Sequence, residues 1–120
     1  MTGAALRRLC LGFPGAEETF PFNRTTSVFK VRGKVFAIAP LQREPLTVSV
    51  KCEPELARGL RAAHAAIEPG YHLNKQHWNT ITIDGSLPDR MVRDMVEDSY
   101  DLVVDGLPRG ERDRLRALSG

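Results

Sequence analysis

From residue 46 to residue 51 apolar and polar side chains alternate without interruption, Leu46, Val48 and Val50 against Thr47, Ser49 and Lys51. Successive side chains of a strand point to opposite faces. This period therefore predicts a strand with one face on a core and one toward solvent. Two further runs precede it. In residues 26–31, Phe29 and Val31 share one face while Val28 and Lys30 share the other, and residues 34–39 return alongside. Arg32-Gly33 between them reads as a tight turn, because glycine takes positive φ without steric cost, and the pair becomes an antiparallel hairpin. A fourth strand is predicted over residues 80–84, with Ile81 and Ile83 inward.

The other apolar positions recur at helical spacing. Leu6, Leu9 and Cys10 fall at i, i+3 and i+4 within residues 4–12, and Phe13-Pro14-Gly15 ends that helix. Residues 16–23 carry no period and are expected to be irregular, with Phe20 and Phe22 plugging the edge of the core. A longer helix opens at Glu53-Pro54 on the stripe Leu56, Leu60, Ala63 and Ile67, and Glu68-Pro69-Gly70 closes it. Residues 88–105 form the next, burying Val92, Val96, Ser99 and Val103, with Met91, Met95, Tyr100 and Leu102 flanking. Gly106-Leu107-Pro108 stops it, and residues 109–118 make a short terminal helix. The order is α-β-β-β-α-β-α, with room for an extra short strand at residues 71–73. That is an α+β fold, a two-layer sandwich of a mainly antiparallel sheet with helices on one face. The other face presents Lys30, Thr47, Ser49, Lys51, Thr80 and Thr82.

Composition adds boundaries. A chain of 120 residues with 42% hydrophobic and 27% charged positions fits one domain over residues 1–120 with a single core. No apolar run reaches the length of a membrane span, and residues 1–8 lack the basic-then-apolar order of a secretion signal. No membrane partner and a cytoplasmic location are expected, with Cys10 and Cys52 as free thiols. The net charge of +2 is a faint signal, but its distribution is uneven. Residues 22–77 hold nine Lys or Arg against four Glu, a local +5, and residues 78–108 hold two Arg against seven acids, a local −5. Asp94, Glu97, Asp98, Asp101 and Asp105 form one helical stripe, which repels any phosphate backbone and reads as a solvated face.

Candidate chemistry concentrates in residues 70–79, which hold the sole Trp, one of two Tyr and two of three His in a segment expected to be loop. Cys52 with His72 or His77 would form a thiol–imidazole pair, yet Cys52 ends a strand before a helix, where a small apolar residue is wanted. His72 and His77 lack the further ligands of a zinc set, and Gly70, Gly85 and Gly106 are too isolated to cradle a phosphate. The expectation is no catalytic residue, no metal and no cofactor, and hence not an enzyme.

Phe13-Pro14-Gly15-Ala16-Glu17-Glu18, Val28-Phe29-Lys30-Val31 with its Gly33-Lys34 turn, Val48-Ser49-Val50-Lys51-Cys52, the segment 70–79, and Ser99-Tyr100-Asp101-Leu102-Val103 together resemble the MmcQ/YjbR family of small bacterial proteins. The likeness covers residues 6–112. It implies a two-layer domain of the secretion-chaperone-like type, likened also to the "double wing" DNA-binding fold, and no settled activity. On that footing the expected partner is DNA. Lys30, Arg32, Lys34, Lys51 and Lys75 would hold phosphates, and His72, Asn74, His77 and Trp78 would contact base or sugar, with Arg24, Arg58 and Arg61 flanking. The competing account has these cations merely keeping the domain soluble and Trp78 anchoring its loop. A non-enzymatic module binding a peptide or a second copy of itself is the alternative function, and a small-ligand binder the third.

Overall fold

The protein, described here by a computed structural model, is resolved in description over residues 1–70 and 73–119. Its elements in chain order are α1 (Gly3–Leu11), β1 (Ala16–Thr19), β2 (Ser27–Val31), β3 (Lys34–Ala39), β4 (Leu46–Lys51), α2 (Pro54–Ala63), β5 (Ile67–Pro69), β6 (Trp78–Ile83), α3 (Asp89–Asp105) and α4 (Arg109–Ser119). The strands form one antiparallel sheet in the order β1-β2-β3-β4-β6-β5. The α+β, two-layer architecture with helices on one face is the one the alternation predicts. Leu46, Val48 and Val50 face the helices, buried beside Leu6 and Cys10 of α1, Val92, Val96 and Val103 of α3, and Leu115 of α4. The β2–β3 turn has positive φ at both Arg32 (51°) and Gly33 (81°), the backbone a two-residue hairpin requires.

Between β2 and β3 the register shifts: Phe29 pairs with Ala37, but Lys30 pairs with Val35. Phe36 is therefore an extra residue, a bulge, and Phe36 and Ala37 both point into the core. The bulge also interrupts pairing on the other side, where Ala37–Val50 and Ile38–Ser49 are the residue pairs joining β3 to β4 among the described residues. Ser99 of α3 fills the gap. Its hydroxyl donates to the Phe36 carbonyl at 2.6 Å and accepts from the Lys51 amide at 2.8 Å, while fully buried.

Several sequence expectations are corrected. Residues 16–19 are not irregular but form β1, because four residues carry too short a pattern to read, and cross-strand pairing with β2 decides their conformation. Phe20 and Phe22 are exposed at 50% and 67% rather than plugging the core. The Asn23 carboxamide accepts from the Thr25 and Thr26 amides, closing a local turn beside those exposed rings. Helix α2 stops at Ala63, and Ile67 is buried in β5 against Ile81, so the predicted stripe spans two elements. Ala57 is the buried residue of α2, and Leu56 is exposed at 49%. The extra strand thus precedes residues 71–73, and Tyr71 and His72 lie outside the described residues. Strand β6 begins at Trp78, two positions earlier than the alternation suggested. Val28, expected on the polar face, is fully buried between its cross-strand neighbours Thr19 and Ile38.

Candidate functional site

On the helix-free face, strand register sets the neighbours. Lys51 is directly cross-strand from Trp78, Ser49 from Ile38 and Thr80, Thr47 from Thr82, and Lys30 from Glu17 and Val35. The Ser49 and Thr80 hydroxyls are hydrogen-bonded at 2.8 Å. This surface is less uniformly polar and less basic than expected. Val35 and Ile38, both half-buried, put apolar surface along its middle, and Glu17 and Glu68 stand on its outer strands.

Where β3 and β4 part beyond the bulge, a cleft of ≈ 330 Å³ opens, lined by Lys34, Val35, Lys51, Trp78, Leu102, Val103 and Gly106. Three of the residues expected to contact nucleic acid, Lys34, Lys51 and Trp78, meet here over an apolar floor. Among the described residues no carboxylate stands within ion-pair distance of Lys30, Lys34, Lys51 or Lys75, whereas Arg7 is paired with Glu18 at 2.9 Å. Trp78 is half-buried, and among the described residues no other ring stacks on it, although Phe13, Phe29, Phe36 and Tyr100 pack against one another.

The remaining expected site residues are placed differently. Arg32 reaches across to Glu111 of α4 at 3.2 Å, so its charge is already partnered. Asn74 accepts at its side-chain oxygen from the Gln76 amide at 2.9 Å, and its carbonyl accepts from the Trp78 amide at 2.9 Å, so it shapes the loop while remaining exposed. The His77 carbonyl accepts from the Cys52 amide, tying the loop to the end of β4. Lys75 is exposed on the loop, outside the cleft. Arg24 and Arg58 are exposed on other segments. His72 falls outside the described residues. Arg61, expected to flank the site, is a brace: one guidinium nitrogen donates to the Lys75 carbonyl at 2.7 Å and to the Asn79 side-chain oxygen at 3.1 Å. Asn79 is itself fully buried and donates to the Ala57 carbonyl at 3.4 Å, so α2 holds the loop through these two residues. Gly70 makes room beside Trp78, since a Cβ there would lie 2.7 Å from the Trp78 Cβ.

The sequence reading missed Val35, Leu102, Val103 and Gly106 as cleft walls, and Ser99 as the clamp beneath it. Only Ser99 carried a signal, a hydroxyl in the middle of an apolar helical stripe. The acidic row is exposed along its length, as expected of a solvated face. Asp98, Asp101 and Asp105 line a second cleft of ≈ 230 Å³ with Cys52, Glu53, Leu56 and Leu102, and Leu102 is the wall it shares with the first. Burial, and then Glu53 and Asp98, raise the Cys52 thiol above its ordinary range, which keeps it protonated rather than nucleophilic. Burial next to Glu18 pushes the Cys10 thiol up to about 12. Both cysteines are free and buried. Among the described residues no three of His, Cys, Asp and Glu gather to hold a metal ion, and no helix is long and apolar enough to cross a membrane.

The YjbR family model matches residues 11–102. The uncharacterised protein YjbR of Escherichia coli K12 is 38% identical over 118 residues, covering 98% of this chain and all (100%) of its own. The uncharacterised protein YbdF of Escherichia coli O157:H7 is 34% identical over 92% of this chain and 90% of its own. Among solved structures, protein DR2400 of Deinococcus radiodurans, a DUF419 domain, superposes with a TM-score of 0.89 at 41% identity, over 95% of this chain and 87% of that one. A Pseudomonas syringae protein superposes at 0.63 with 27% identity, over 72% of this chain and 86% of that one.

Proposed function

The chain belongs to the YjbR family, and on that premise we propose that it is a cytoplasmic, non-catalytic nucleic-acid-binding protein that works through the cleft between β3 and β4 and the lysines around it. The observation that carries the reading is the meeting of Lys34 and Lys51, both without an ion-pair partner among the described residues, with Trp78, whose ring has no stacking neighbour there. Phosphates need cations free to release counterions, and bases need an unoccupied aromatic face. Lys30 and Lys75 extend the cationic area along the sheet and the loop. A protonated, buried Cys52 favours the non-catalytic account, since a thiol nucleophile needs a lowered pKa.

Peptide capture by strand addition is the weaker alternative. The two edge strands are short and charged, β5 three residues long with Glu68 and Pro69 and β1 four residues long with Glu17 and Glu18, features that discourage added strands. Anisotropy titration of labelled oligonucleotides at low and moderate salt tests the reading. The double variant Lys34→Ala/Lys75→Ala should lose affinity across all sequences while melting like the parent. Unchanged affinity in that variant removes the lysine surface from consideration.

A further inference from the structure

Resting on the nucleic-acid reading above, we infer that the cleft accepts one unstacked nucleotide, so that the protein selects single-stranded nucleic acid over duplex. Three observations converge. Trp78, at the start of β6, is half-buried and lines the cleft together with Val35 of β3 and Leu102 and Val103 of α3. A base inside a duplex has both faces covered by its neighbours and cannot enter such a recess, whereas an unstacked base can lay one face on the indole. The cleft's ≈ 330 Å³ lies at the small end of ligand sites, suited to one base with its sugar and unsuited to a helix.

Charge gives the third observation. Of the lysines without an ion-pair partner among the described residues, Lys34 and Lys51 line the cleft, while Glu53, Asp98, Asp101 and Asp105 line the adjoining one across Leu102, and Glu17 and Glu68 occupy the outer strands. A rigid duplex presents a phosphate every ~1.7 Å of axis and would carry some of them onto these carboxylates. Screened repulsion between charges reaches about 8 Å at physiological salt, and the two clefts share Leu102 as a wall. A flexible strand lays one or two phosphates on Lys34 and Lys51 and turns away from the acids. Trp78 is then the stacking platform, Lys34 and Lys51 the phosphate clamps, and the apolar floor excludes water behind the base.

The chain has one Trp, so its intrinsic fluorescence reports Trp78 directly. The intact protein is titrated with a short oligothymidylate, with a hairpin duplex of matched charge, and with thymidine monophosphate as competitor. Expected are quenching by the oligothymidylate, affinity for it at least about ten-fold above that for the duplex, and competition by the mononucleotide. Trp78→Ala should lower single-strand affinity by roughly ten-fold, and Trp78→Phe, which keeps a ring and protects the fold, by much less. Lys51→Gln should weaken single-strand binding several-fold with melting unchanged. Equal affinity for both nucleic acids without quenching overturns this inference and leaves the broader reading standing. Failure of both to bind at low salt overturns the broader reading and this one with it.

Discussion

Ser99 does for the sheet what backbone pairing cannot do at the bulge, meeting one carbonyl and one amide that the parted strands leave without each other. Ser99→Ala keeps the shape but leaves the Phe36 carbonyl and the Lys51 amide without this partner. The expected loss is about 2–4 kcal/mol, read from urea denaturation midpoints. Gly70→Ala acts by overpacking instead, because the new methyl would meet Trp78; about 1–3 kcal/mol is expected, with a shifted emission spectrum of the single Trp. Two carboxylates respond to pH in opposite directions. Asp101 sits between Asp105 and Asp98, and partial burial together with these like charges raises its pKa. A carboxyl raised in the folded state costs stability above its folded pKa and nothing below its unfolded one. Asp101→Asn should therefore raise the melting temperature at neutral pH, with the gain disappearing near about pH 3. Glu53 is lowered by hydrogen bonds from the Leu56 and Glu55 amides at the start of α2, so its contribution is present at neutral pH and lost as acid passes through its folded pKa. Glu53→Gln should lower the melting temperature at neutral pH and leave it unchanged in acid.

At the level of elements, α2 and the segment ahead of β6 act together. Arg61 fastens the Lys75 carbonyl and the buried Asn79 side chain, so the helix sets where Trp78 enters the sheet. Arg61→Ala removes one charged donor from two acceptors, one of them on a buried side chain. A loss of roughly 1–3 kcal/mol is expected, with faster amide exchange in residues 73–78 and weaker oligonucleotide binding. A surface role for Arg61 would give weaker binding with exchange unaltered. The same part of the chain shows where sequence reading stops. Leu56, Leu60, Ala63 and Ile67 satisfy a helical period, but Ile67 gains more by pairing on the edge of β6, and the helix ends at His64, whose φ of −135° is extended. Local periodicity cannot weigh a helix turn against a ladder to a strand that follows eleven residues later.

Across the molecule, the lysines and the acidic row lie on different elements. The lysines sit on β2, β3, β4 and the loop before β6, and the acid row sits on α3, with Leu102 dividing the two clefts. If Lys30, Lys34, Lys51 and Lys75 each neutralise one phosphate of a single strand, the slope of log affinity against log salt should be about −3. A slope near zero in the anisotropy titration would assign binding to apolar contact alone. The low overall charge means that this slope, and not net attraction, is the diagnostic quantity.

Alternation over residues 46–51 and the Arg32-Gly33 turn were enough to establish β4, the β2–β3 hairpin and the two-layer arrangement, though not β1 or β5, because period and turn geometry are local properties of the chain. The separate motifs also sufficed to place the family. Which basic residues act together was decided only by tertiary structure. Arg32 was taken by Glu111, seventy-nine positions away, and Arg61 by the loop it supports. Lys34 and Lys51 came to share a cleft with Trp78 because a one-residue bulge parts two strands and a helix hydroxyl holds them so. Side-chain type and spacing record neither the extra residue in a ladder nor the partner that neutralises a charge, since both depend on segments distant in sequence meeting in space.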